Sequence, residues 1–494
     1  MKKVYSVKLK TLTPIHIGCD AVYEPMQFRM DENSSEMVLF DAAGWLAALD
    51  DSDRKRFSET AKKGTMVSLV ELMKFVNSRP AEGRRVKVAS GILENHKRVL
   101  NLSLNEQSIR REFNQSQIRR TSFRSTDNRP VIPGTAVKGA IRTAWLNAMQ
   151  NIKQLRKDER MRDRDLQNHL MDYRLIAEDP FRLVKVSDFQ PVGDAKTEIV
   201  YAVNFKRKGE QGRGVPQMLE VVSYGQIFSG TITVEEKSHE RTPISNPVNA
   251  EDLLRAVAAF FTKGLERENQ ILMQMGNRNQ INRESPMPIC IGFHSGAENM
   301  TVEGHRNIRI LGGRGRPDRF DSQGTTIWLT AQKKTGPGSL PMGWCGLEIM
   351  DDKGMMFLDA DEKSWRMAQE QSRLARLDEI RDAEEKIREE QARLEAAAEA
   401  RRLEEIKKQE EAQRLEALGP VDRAIAELES GTLSDDAIAS LMRNELETSE
   451  PEDAKRLALA LKACLEARGE WDVKKKAKAK FARKQKIRQV LGEI

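Results

Sequence analysis

Leu219-Glu220-Val221-Val222-Ser223-Tyr224-Gly225-Gln226-Ile227-Phe228-Ser229-Gly230-Thr231-Ile232-Thr233-Val234 is rich in β-branched and aromatic residues and shows no helical period. Val, Ile, Thr, Phe and Tyr suit a pleated, half-buried surface, so the stretch reads as strand, with Gly225 and Gly230 as bends. The next patterned segment is of the opposite kind. Between Ala250 and Met275, the residues Leu253, Leu254, Val257, Ala258, Phe261 and Leu265 recur at helical spacing and predict a helix with one buried face.

The same strand-then-helix order stands nearer the N-terminus. Val4 to Leu12 roughly alternates apolar and polar residues and stops at Thr13-Pro14, and a second strand is predicted around Met37 to Phe40, after the turn-prone Asp31-Glu32-Asn33-Ser34-Ser35. A short helix capped by Asp41 comes next, and helical stretches recur around 66–76 and 136–155. Strands interleaved with helices imply an α+β sandwich, and the repeated order points to two related domains.

Composition changes after Asp361. From Trp365 to Leu418 the chain is dominated by Glu, Arg, Ala, Leu and Lys, with neither Gly nor Pro until Gly419-Pro420. That predicts one long helix or a helical hairpin, solvated and held by Glu/Arg pairs three and four residues apart. Shorter helices are expected near 421–429, 435–446 and 452–468, ahead of a basic tail.

A length of 494 residues accommodates roughly three or four units with cores of their own. The formal charge of +7 is unevenly spread: Lys474 to Arg488 holds nine Lys/Arg and no acid, whereas 361–418 is net acidic. A second basic segment runs from Arg84 to Arg129 and includes Arg110, Arg111, Arg119, Arg120 and Arg124. Such clustering suits a polyanion, because each neutralised phosphate releases counterions. Cys19, Cys290, Cys345 and Cys464 are too dispersed for a zinc site or a disulfide framework, and no cofactor or metal is expected. With no apolar run near the ~18 residues of a membrane span, a soluble, cytoplasmic chain is expected.

Two segments carry candidate chemistry. Pro133-Gly134-Thr135-Ala136-Val137-Lys138-Gly139-Ala140-Ile141-Arg142 reads as an anion-binding helix entrance. Gly134 allows close approach, Thr135 can cap, and Lys138 and Arg142 lie one turn apart. It is not a nucleotide-hydrolysing phosphate loop, since Gly139 is followed by Ala140 rather than by Lys-Ser/Thr. In Arg309-Ile310-Leu311-Gly312-Gly313-Arg314-Gly315-Arg316-Pro317-Asp318-Arg319-Phe320, glycines permit backbone approach and arginines bind phosphate or stack on bases. Of the six histidines, His16 is the best placed for acid–base chemistry, although a packing role explains it more simply.

Leu9 to Gly18, Ile132 to Arg142 and the glycine-rich stretch from Leu311, in that order, resemble the RAMP superfamily of CRISPR-associated proteins. Leu340-Pro341-Met342-Gly343-Trp344-Cys345-Gly346-Leu347-Glu348-Ile349 is similar to the family's closing strand. Within the family, the chain looks most like the subunit of type III-A Csm complexes that caps the 3′ side of the guide RNA. The resemblance covers about 1–360. It implies two tandem ferredoxin-like, RRM-type domains, 1–205 with a basic insertion and 206–360, followed here by the helical 361–418 and a helical, basic 419–494.

The resemblance also implies a non-catalytic subunit that binds crRNA in an RNA-guided antiviral complex. Its expected partners are crRNA, the repeated backbone subunit and the small helical subunit, with target RNA as a further candidate and no membrane. By motif, Gly134, Thr135, Lys138, Gly139 and Arg142 are the first RNA contacts, then Gly312, Gly313, Arg314, Gly315 and Arg316. Arg119, Arg120 and Arg124 are added on charge alone. Two other readings stand beside this one: a metal-independent crRNA-processing endoribonuclease using His16, and an interaction scaffold working through the long helix.

Overall fold

The structure is a computed structural model that describes residues 2–101, 106–158, 161–236, 243–282, 287–312, 315, 317–473 and 477–494. It divides into two compact units, Met1–Gln371 and Ser372–Ile494.

The first unit is a mixed α+β structure built on two sheets. In one, Lys2–Thr11 lies between Ile227–Glu235 and Trp344–Met350, antiparallel to both. Alternation explains its central place: Val7, Leu9 and Thr11 are fully buried, while Lys8 and Lys10 stay partly exposed. Val184–Val186 extends the sheet beyond Ile227–Glu235, and Pro288–Cys290 extends it beyond Trp344–Met350. Helices Gly134–Lys153 and Ala250–Gln274 pack together and against this sheet. Taken in chain order, the strands Lys2–Thr11, Val184–Val186, Ile227–Glu235 and Trp344–Met350 with these two helices run β-α-β-β-α-β, with the first strand between the third and fourth.

The other sheet runs Gly18–Val22, Ile118–Thr121, Gln217–Val222, Thr197–Lys206, Arg84–Val88, Glu36–Leu39, Phe28–Asp31, and Thr326–Ala331 also pairs with Thr197–Lys206. Both sheets therefore mix strands from before and after residue 205, where a tandem layout would keep each sheet within one stretch of chain. Local strand-and-helix order predicts element types correctly, but it does not contain the pairing partners. Gln217–Val222 is a strand of the second sheet and Ile227–Glu235 of the first, so the run Leu219 to Val234 is the crossing between them. Gly225, at φ +80°, makes the turn. Gly230 is not a bend: it sits within a strand, and a Cβ there would meet the Phe189 ring at 2.8 Å.

The predicted long helix is one continuous helix, Asp352–Glu416, starting earlier than expected. Arg366–Glu362 pairs along it as predicted, and Arg381–Asp378 and Lys408–Glu404 add pairs of other acids and bases at the same spacings. Leu394, Leu403 and Ile406 are exposed on it, as a solvated helix requires. In the second unit, Pro420–Glu429, Asp435–Asn444 and Pro451–Ala467 enclose Leu428, Ile438, Leu457 and Leu461. The basic tail adds a helix beyond those expected, Lys478–Val490, which buries Ile487 in the same core. No helix among the described residues is long and apolar enough to cross a membrane.

Candidate nucleic-acid interface

The helix entrance divides into structural and available parts. Helix Gly134–Lys153 begins after Pro133 and has no side-chain cap bond, so Thr135 is not its cap but an exposed first-turn residue. Gly134 is buried, and a Cβ on it would meet the carbonyl oxygens of Val186 and Ser187 at 2.3 and 2.5 Å. Close approach to the protein's own strand accounts for this glycine, and the Asp188 carboxylate accepts its N–H at 2.8 Å.

Arg142 is likewise engaged. It pairs with Asp179 at 2.8 Å, donates to Gln167 and to the Tyr173 hydroxyl, and lies over the Phe181 ring. Lys138 differs, having no carboxylate at ion-pairing distance among the described residues. Burial lowers its pKa, and Arg142 and Lys185 push the same way while Asp179 opposes them. Gly139 beside it is exposed, with nothing within 4 Å of where a Cβ would stand.

The basic segment sorts in the same fashion. Arg124 pairs with Asp127 and donates to Gln190 at 2.9 Å. Arg129 is buried, bound to Glu362 through two contacts at 2.7 and 2.9 Å and stacked on Trp365. The Arg120 guanidinium lies 3.5 Å from the Phe123 ring centroid and 4.8 Å from that of Tyr23. The Arg119 side chain is exposed and makes no hydrogen bond or ion pair with the side chain of a described residue. With Arg120, Phe293 and His16 it borders a basin of about 410 Å³.

His16 itself is only 2% exposed. Its Nδ1 sits 2.7 Å from the Glu220 carbonyl oxygen, and burial lowers its pKa, so the neutral ring donates from Nδ1. Packing and this one bond account for the residue.

The glycine-rich segment joins a two-stranded ribbon, Ile308–Ile310 with Arg319–Asp321. Asp318 closes its base by accepting the Gly312 N–H at 3.0 Å and pairing with Arg309. Gly315 has φ +75°. Gly313, Arg314 and Arg316 lie outside the described residues.

Beside this ribbon is a cleft of about 610 Å³ lined by Arg207, Arg213, Arg267, Arg309, His294 and Trp328, among others. Its carboxylates do not balance its cations. Burial works against ionisation of Glu298, but Arg207, with which it pairs, holds its pKa below the usual carboxylate range. Glu268, fully enclosed, is pushed up by burial to about 7, even though Trp344 and Asn299 both donate to it. Arg213 is exposed, and the buried Nε atoms of Arg207 and nearby Arg306 have no hydrogen-bond partner among the described residues. Such a surplus of guanidinium groups favours phosphate.

Basin and cleft meet at the turn Gly292-Phe293-His294-Ser295-Gly296. Gly292, His294 and Gly296 all have positive φ, and His294, at +64°, is the costly one because it carries a side chain. The Phe293 N–H donates to the His16 carbonyl at 2.8 Å, which ties the turn to the loop after the first strand. Phe293 borders the basin, while His294 borders the cleft and stacks on Trp328 at 4.0 Å. Burial first, with smaller electrostatic contributions from His16 and Arg119, depresses the His294 pKa to about 3, so its ring is a neutral stacking surface.

Arg207, Arg213, Arg267, Phe293 and Trp328 line the candidate interface but are missed by the sequence motifs. Two signals for them are present: Lys206-Arg207-Lys208-Gly209-Glu210-Gln211-Gly212-Arg213-Gly214 is as rich in Arg and Gly as the 309–320 segment, and Phe293-His294 is an aromatic pair between glycines.

The sequence profile described as the RAMP superfamily matches residues 8–276. Among curated proteins, the CRISPR system Cms protein Csm5 of Methanocaldococcus jannaschii is 25% identical over 327 residues, covering 60% of this chain and 72% of the relative. Among solved structures, a chain of a type III-A Csm–crRNA–target RNA ternary complex is 18% identical with a TM-score of 0.47, covering 70% of this chain and 100% of that one. The crystal structure of T. onnurineus Csm5 is 15% identical with a TM-score of 0.41, covering 69% and 99% respectively.

Proposed function

Starting from its membership of the RAMP superfamily, to which this chain belongs, we propose that it is a non-catalytic, crRNA-binding subunit of a type III, Csm-like effector complex, capping the 3′ side of the backbone filament. The similarity to a curated Csm5 supports the assignment to that complex. The observation that carries RNA binding is the cleft beside the glycine-rich ribbon, where Arg207, Arg213, Arg267 and Arg309 outnumber the ionised carboxylates. Lys138 with Gly139, and Arg119 with Phe293, supply further cationic and stacking contacts on this reading. Base pairing would read sequence, while the protein reads backbone and shape. On the same reading, the β-α-β-β-α-β sheet is the family's ferredoxin-like module, and the partners are crRNA, target RNA and the neighbouring effector subunits.

The test is to tag the chain in its host, purify it under gentle salt and identify the RNA and proteins that accompany it. Repeat-derived guide RNA with other effector subunits is the expected result. Substituting Arg213 and Arg267 together by Ala should reduce the guide RNA retained. If the isolated chain instead cut precursor repeat RNA, and His16→Ala abolished the cutting, the processing-enzyme reading would replace this one.

A further inference from the structure

Next to the cationic basin, and sharing Val22 with it as a lining residue, is a cavity of about 170 Å³. Phe28, Met30, Met73, Ile92, Val99 and Phe113 are among the apolar residues of its wall. A purely apolar void of this size, about that of the ~150 Å³ engineered cavity that binds benzene, stays dry and suits a single hydrocarbon ring. This one is not purely apolar. His96 lines it and carries a buried Nε2 with no partner among the described residues, and Asn95, Ser116 and Gln117 add polar edges.

The chemistry of the lining narrows the occupant. His96 packs near the Phe28 ring, with centroids 5.9 Å apart, and burial depresses its pKa to about 4, so it is a neutral donor–acceptor ring at physiological pH. Aromatic and thioether walls favour a flat ring, and the unpaired nitrogen calls for a polar edge on that ring. With His96 neutral, the one acid or base among the described lining residues with a charge at neutral pH is exposed Glu24, so a charged group finds little there to pair with. The volume admits one six-membered ring more readily than a fused pair.

Position supplies the source. Ile118 and Val22 form part of the wall, Val22 also borders the basin, and the residues that follow Ile118 along the strand, Arg119 and Arg120, border that basin too. Arg110 and Arg111 are exposed on helix Glu106–Gln115, whose Phe113 lines the cavity. A strand of RNA held by these arginines would pass close to the cavity mouth.

We propose that this cavity receives one uncharged, single-ring nucleobase, a pyrimidine, whose polar edge bonds to His96. The inference rests on the RNA-binding reading for its source; the same ring could also come from a free nucleoside.

The test compares, on the full-length chain, a uridine oligomer with an abasic oligomer of equal length, using fluorescence anisotropy. Saturation-transfer NMR with free uridine runs in parallel. Two variants accompany the parent: Val99→Phe, which fills the cavity, and His96→Leu, which removes the polar atom but keeps the wall. The expected result is roughly tenfold tighter binding of the uridine oligomer than of the abasic one, within the range for one stacked base. Both variants should lose that preference while keeping abasic affinity. A uridine signal from the parent that Val99→Phe abolishes, without any oligomer preference, would support the pocket with a free nucleoside as its source. Equal affinity for both oligomers with no uridine signal would overturn the pocket and leave backbone binding standing, whereas no binding of either RNA and no uridine signal would overturn both. Should Val99→Phe fail to fold by circular dichroism, His96→Leu decides alone.

Discussion

The Asp188 carboxylate accepts the backbone N–H of Gly134 at 2.8 Å. A first-turn donor that the sequence offers to a phosphate is thus taken by the protein's own acid. Asp188→Ala should lower unfolding free energy by ~1 kcal/mol, the usual worth of a helix-start acceptor, without weakening RNA retention. A variant as stable as the parent in urea titration would refute that role.

Lys138 and Arg142 share a helix face but should behave differently when truncated. Lys138→Ala should lower the slope of log affinity against log salt by about one, with stability within ~0.5 kcal/mol of the parent. Arg142→Ala strands Asp179 and the Tyr173 hydroxyl, and should cost ~1–3 kcal/mol. Paired salt titrations and melting curves separate the two effects, and equal loss of stability in both variants would contradict the assignment.

Glu268 makes stability fall as pH rises. Its folded pKa of about 7 stands above the ordinary 4.5, so the folded state holds a proton that the unfolded state has released. The contribution is full below about pH 4.5 and is lost as pH climbs through 7, on the order of 3 kcal/mol in all. Urea unfolding at pH 5 and pH 8 should show the parent losing more stability over that step than Glu268→Gln. Parallel profiles would show that the carboxyl is ionised throughout.

Glu362→Ala should be costly out of proportion to its place near the start of a long, exposed helix. It leaves Arg129, whose side chain is only 8% exposed, without its charge partner, a loss of ~3–5 kcal/mol for a broken buried pair. Because Arg129 stacks on Trp365, tryptophan emission should shift as well. A change in emission without loss of stability would count against this account.

Much of the element pattern is legible in sequence because it is written locally. The period of Leu253, Val257, Phe261 and Leu265, the Asp41 cap and the uninterrupted charged run after Trp365 each encode their element within a few turns. The illegible part depends on residues distant in the chain. Nothing near Arg142 announces Asp179, nothing near Arg129 announces Glu362, and nothing near Gly134 announces the carbonyls of Val186 and Ser187. A motif shows that a cation or a glycine is needed, but not whether a ligand or the protein itself needs it. The arginine cleft escapes the sequence for the same reason, since Arg207, Arg267 and Arg309 meet only in three dimensions.

The place of Lys2–Thr11 at the heart of its sheet has a consequence for how the chain comes into being. This strand leaves the ribosome well before its two neighbours, Ile227–Glu235 and Trp344–Met350. Until Met350 has emerged, one of its edges stays unpaired and can template wrong pairings. Closing such distant contacts is slow, because loop entropy must be overcome before pairing rewards it. A nascent chain halted anywhere before that point would be an aggregation-prone intermediate rather than half a protein, and a chaperone on the first strand would shorten the hazard.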